Sequence, residues 1–196
     1  MIPKITTIQK YYPFNLKKYF TIRNGLLLLL LFVLYLFIPK YVQAITLMII
    51  FYPICLFTVK TTKYVKNMGI ETLTTFSIFL GYLYGWQIAM FFGLVIGGYI
   101  WSQAGLVTKT LVQILMTGFA GYLGYWVHGL TWLPNFFWAY IFAVTIRNIL
   151  TFVIFIPVNP EPVANFMHLV SDIVWNTLIL STFINMLYNL IMLISF

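Results

Sequence analysis

Arg147 is the residue whose position most demands a chemical explanation. It is the one basic residue inside the apolar run Asn135 to Ile156, where a charge is costly unless it has a partner, a cavity or a route to the headgroups. Asp172, near the start of the following apolar run, is the natural counter-charge. Asn148, His168 and Asn176 fall in the same part of the chain, with Asn159 and Asn165 between them. Two chemistries are open. One is a polar pocket in the outer half of the membrane, lined by Arg147, Asn148, His168, Asp172 and Asn176, that takes a small-molecule substrate. The other is an Arg147 to Asp172 ion pair that joins two helices. Asn176, Asn185 and Asn189 are candidates for interhelical hydrogen bonds, each worth roughly 0.6 kcal/mol in a membrane.

Recognisable catalytic equipment is missing. The chain has no phosphate-binding loop, no HExxH and no paired acidic cluster, and it holds three acids in all. The expectation is therefore a protein that is not an enzyme and carries no metal or cofactor, with ATP hydrolysis by this chain alone excluded. Its single cysteine, Cys55, lies in the apolar stretch FYPICLF, so no disulfide framework and no cysteine metal cluster can form within one chain.

The elements that must position these residues are membrane helices. An apolar fraction of 62% with 7% charged residues and a mean hydropathy of +0.97 does not fit a soluble domain, which carries about 25% charged residues. With about 20 residues per span, 196 residues accommodate an all-α bundle of about six transmembrane helices. The net charge of +8 is concentrated beside apolar runs: Lys4, Lys10, Lys17, Lys18 and Arg23 precede the first, and Lys60, Lys63 and Lys66 follow the second. That placement points to a cytoplasmic N-terminus and anionic lipid in the cell membrane, not to nucleic acid.

Residues 1–23 read as a basic amphipathic segment, and residues 24–196 as the helical domain. Gly25 to Ile38, stopped by Pro39, is an uncleaved first helix, and Tyr41 to Val59 returns across the bilayer. Thr72 to Trp101 is a run of about 30 residues, or about 45 Å of helix against a hydrocarbon core of about 30 Å. It is read as one kinked crossing, with two half-helices meeting at Gly85-Trp86 as the alternative. Thr110 to Val127, Asn135 to Ile156 and His168 to Phe196 complete the set. With a single crossing over 72–101, Lys109 falls on the outer side with Lys40; two crossings move it inside.

Small residues recur at every fourth position in the third run: Gly81, Gly85, Ala89, Gly93 and Gly97. Gly121 and Gly124 give the fourth run a similar face. Close backbone approach is a main source of helix association in lipid, so these faces are packing surfaces, either for a neighbouring helix of the same chain or for a partner protein.

The runs FSIFLGYLYGWQIAMFFGLVIGGYIW and KTLVQILMTGFAGYLGYWV, followed by an aromatic fifth helix and WNTLILSTFINMLYNLI, resemble the S-components of energy-coupling factor (ECF) transporters over about residues 70–196. Rod-shape proteins of the MreD type resemble the same fold. The resemblance implies a substrate-binding subunit with an outward pocket that docks through small-residue faces on a coupling subunit driven by two ATPases. S-components commonly carry the docking motif on the first helix, which is nearly all leucine here, so the expected docking face moves to the third. The MreD-like alternative is a structural or assembly subunit. A third reading rests on Arg147 and His168, which are similar to the Arg and His of exosortase-like membrane transpeptidases. Those enzymes need a cysteine ahead of the Arg, where this chain reads WSQAG.

Overall fold

A computed structural model describes residues 40–64, 69, 71–103, 108–158 and 161–194. The expected basic segment 1–23 and the first helix Gly25 to Ile38 lie outside the described residues. Among those described, the chain is all helical. Its helices are α1 (Lys40–Tyr64), α2 (Leu73–Tyr84), α3 (Trp86–Phe91, Phe92–Ile96 and Gly97–Ser102), α4 (Thr108–His128), α5 (Phe136–Val158) and α6 (Pro162–Val174, Trp175–Leu180 and Ser181–Ile194). The middle stretches of α3 and α6 have π geometry. Three helical stretches are long and apolar enough to cross a membrane, Lys40–Thr62, Phe136–Val158 and Pro162–Leu193.

The long third run is not one crossing. At Gly85 the backbone takes φ +102° and ψ 165°, a region open essentially to glycine alone, and the chain doubles back. Leu73 and Gly97, each twelve residues from Gly85, end up side by side. The run is therefore an antiparallel hairpin of α2 and α3. At about 18 Å, α2 is too short to cross the bilayer alone. Gly85→Ala is expected to destabilise the bundle by about 1–3 kcal/mol, the cost of a Cβ in that region, although the nearest side-chain atom leaves it room at 3.7 Å. Unfolding of the variant in detergent measures this; stability equal to the parent would contradict the turn.

Ten of the twelve residues of α2 are buried, so the shortest helix is the centre of the bundle and shows no face to lipid. Its neighbours are fixed by named contacts. Phe51 of α1 stacks on Phe76 with ring centroids 3.8 Å apart, and Thr58 meets Thr72 at 3.0 Å. On α5, Tyr140 meets Thr75 at 2.8 Å and Phe136 meets Phe79 edge-on. At the far end of α2, Tyr82 packs edge-on against His128 of α4, Phe136 of α5 and Tyr188 of α6. Read along the chain, these pairings make successive helices run in alternating directions.

The small-residue faces meet each other. A Cβ on Gly81 would stand 2.1 Å from the carbonyl oxygen of Gly121, one on Gly124 2.1 Å from that of Ile78, and one on Gly121 2.7 Å from the Cβ of Ala89. Gly93 lies against Thr117 and Gly118 in the same way, and Gly97 against Leu73. The expected docking groove is thus filled by α4 of the same chain. Gly85 belongs to the turn and not to the packing face. The reversal at Gly85 also corrects the placing of Lys109, which falls at the same end of the bundle as Lys60, opposite Lys40.

Candidate functional site

A guanidinium offers five donors in a flat fork, and inside an apolar bundle each needs an acceptor. Arg147 is the largest fully buried side chain among those described. It stands eleven residues from either end of α5, about 16 Å, at the middle of that helix. Its Nη1 donates to Asp172 Oδ2 of α6 at 3.0 Å and to Asn148 Oδ1 at 2.8 Å. Its Nη2 donates to Glu71 Oε1 at 3.1 Å and to Gln113 Oε1 of α4 at 2.7 Å. Side chains of Glu71, Gln113, Arg147 and Asp172 are at most 5% exposed, so four parts of the chain meet on one cation out of reach of solvent.

Local structure explains each position. Glu71 lies two residues before α2, at the point where α2 begins well inside the bundle, and its Oε1 also accepts a hydrogen bond from Thr74. Gly69 lies against Asp172, where its own Cβ would stand 2.6 Å from that of Asp172, and its N–H donates to Ser171 Oγ at 2.8 Å. Asn148 follows Arg147 directly. Asn176, one turn after Asp172 and within the π stretch of α6, donates from Nδ2 to Asp172 Oδ1 at 3.0 Å and to its carbonyl oxygen at 2.8 Å. The Oδ1 of Asn176 faces the hydroxyls of Thr75, at 2.6 Å, and Tyr140, at 3.1 Å. π stretches are frequent where a helix must turn a side chain towards a site.

Beside the cation, between α5 and α6, lies a small space of about 10 Å³, about one water molecule. Arg147, Asn148, Asn165, His168 and Asp172 line it together with Thr151, Phe152, Phe155 and Leu169. Two buried donors on lining residues, Arg147 Nε and Asn148 Nδ2, have no hydrogen-bond partner. Four of the five residues expected to bind a substrate therefore surround one space. The fifth, Asn176, braces Asp172 from outside the lining.

Two members of the cluster escape a reading of the sequence. Glu71 reads there as an acid suited to the dipole at a helix start, and Gln113 carries no signal in an otherwise apolar helix. The scarcity of acids, three in 196 residues, is the cue that would have singled out Glu71. Of the remaining expected hydrogen bonders, Asn185 is half-buried and Asn189 exposed. Cys55 is fully buried on α1 and accepts a bond from Thr72 Oγ1 at 3.7 Å. Among the described residues no hydrogen bond joins it to His168, which the transpeptidase reading requires.

Among the described residues, the chain is all helical, with three helices of membrane-spanning length and an internal charged cluster. No protein-family model matches the chain, nor does any curated protein or solved structure.

Proposed function

We propose that the chain is a membrane-embedded substrate-binding subunit, similar to an ECF S-component, with its site at the seam of α5 and α6. The observation that carries this reading is the pair of buried donors without a hydrogen bond, Arg147 Nε and Asn148 Nδ2, on residues that line the small space between α5 and α6. Buried donors are nearly always paired, so two left open on one lining ask for a molecule that offers acceptor atoms, such as a carboxylate or a carbonyl. The space holds one water as it stands, so a substrate enters only when the first stretch of α6, Pro162–Val174, moves off α5. The π stretch at Trp175–Leu180 is where such a movement would hinge.

A second reading, a structural or assembly subunit of MreD type, is favoured by the near-complete use of the cluster's hydrogen bonds within the chain and by the small volume left over. Orientation separates the two. An outward pocket needs the Lys60 and Lys109 end outside the cell, whereas the tendency of basic residues to face the cytoplasm favours the second reading.

The test is to purify the full chain from its native membrane in mild detergent and to analyse by mass spectrometry the proteins and small molecules that accompany it. A coupling subunit with ATPases, and a small molecule whose recovery falls about tenfold with Asn148→Ala, is the expected result; tenfold corresponds to the ~1–1.5 kcal/mol of one hydrogen bond. Partners without an ATPase, no small molecule, and labelling of the Lys60 end from the cytoplasm would replace this reading with the second.

A further inference from the structure

Charge balance within the cluster leads to a site of a different kind, whatever the space between α5 and α6 takes up. Two carboxyls, Glu71 and Asp172, share the one guanidinium of Arg147, at 3.1 and 3.0 Å, and all three side chains are at most 4% exposed. With both acids ionised the cluster carries a net negative charge at mid-depth in a membrane, where an uncompensated charge is expensive. The remaining groups that face it do not supply a second cation. Gln113 on α4, Asn148 and Tyr140 on α5, and Asn176 on α6 are neutral. Cys55 on α1 is set off from Glu71 by Thr72. His168 lines the neighbouring space, and the Lys109 ammonium sits over the Phe155 ring at 5.7 Å, away from the carboxyls.

The hydrogen bonds distinguish the two acids. Both oxygens of Asp172 accept, Oδ2 from Arg147 and Oδ1 from Asn176, which is the pattern of an ionised carboxylate. On Glu71 the donors, Arg147 and Thr74, both address Oε1, while Oε2 is buried with no partner at all. A bare buried oxygen is much less costly on a neutral carboxyl than on a carboxylate. We propose that the Glu71–Arg147–Asp172 cluster is a one-proton binding site, with the proton on Oε2 of Glu71 and Asp172 ionised. The cluster is then neutral as a whole.

The composition of the chain makes this directly readable in the unmodified protein. Its acids are Glu71, Glu161 and Asp172, and Glu161 is exposed. Infrared spectra of the full chain in lipid nanodiscs at neutral pH, recorded unlabelled, with ¹³C-carboxyl glutamate and with ¹³C-carboxyl aspartate, separate the two sites without any substitution. The expected result is a protonated-carboxyl C=O band that shifts with labelled glutamate, does not shift with labelled aspartate, and persists in Glu161→Gln. Absence of the band, its shift with labelled aspartate, or its loss in Glu161→Gln would overturn the proposal.

Discussion

Arg147→Gln is expected to destabilise the bundle by about 3–5 kcal/mol, the usual cost of removing one partner from a buried charged group. The substitution leaves Asp172 without the cation at 3.0 Å and Gln113 without its donor at 2.7 Å, and nothing in the bundle replaces either. Replacing the whole cluster is a different matter, because an ion cluster exchanged for neutral groups of similar volume is often tolerated. The combination Glu71→Gln, Arg147→Met and Asp172→Asn is therefore expected to recover most of the loss. Equilibrium unfolding of the three proteins in mixed micelles measures both effects. An Arg147→Gln protein as stable as the parent would mean that the guanidinium is not bound as described.

The second large effect lies at the glycine seam. Gly124→Ala puts a methyl group 2.1 Å from the carbonyl oxygen of Ile78, which is backbone of the central helix and cannot rotate away. Forced separation of this kind costs about 1–3 kcal/mol, after any gain in helix propensity. Gly98→Ala supplies the control within the same chain. Its added carbon meets only Ile114 Cγ2, at 3.7 Å, and is expected to be neutral or mildly stabilising. Equal behaviour of the two variants would mean that α4 does not pack on the α2–α3 hairpin through its glycines.

Both effects trace to features that were only partly legible in the sequence. Arg147 and Asp172 were legible because a cation in an apolar run has few partners to choose from, and one acid follows in the next run. Glu71 was not, because an acid just before a helix has an ordinary local explanation and only the fold reveals that α2 starts deep in the bundle. Gly81, Gly93, Gly121 and Gly124, with Ala89, lie where the helices approach closely. Which surface meets which depends on the direction of the chain after Gly85, and hydropathy does not record a reversal that one glycine makes within an unbroken apolar run. The same reversal carries Lys109 to the Lys60 end of the bundle. Trp126, Trp132 and Trp138 are exposed around the turn between α4 and α5.

Rarity of residue types offers the most direct measurement of the cluster on which both variants and the proposed site depend. The chain has one aspartate, Asp172, and two arginines, Arg23 and Arg147. Solid-state NMR dipolar recoupling between ¹³Cγ-aspartate and ¹⁵Nη-arginine in lipid bilayers thus reports on Asp172 and Arg147, with Arg23→Lys removing the other arginine from view. A guanidinium nitrogen 3.0 Å from a carboxylate oxygen predicts strong dephasing that survives Arg23→Lys. No dephasing, or dephasing lost with Arg23, would show that Arg147 is not held by Asp172 inside the bundle and would remove the basis for the site.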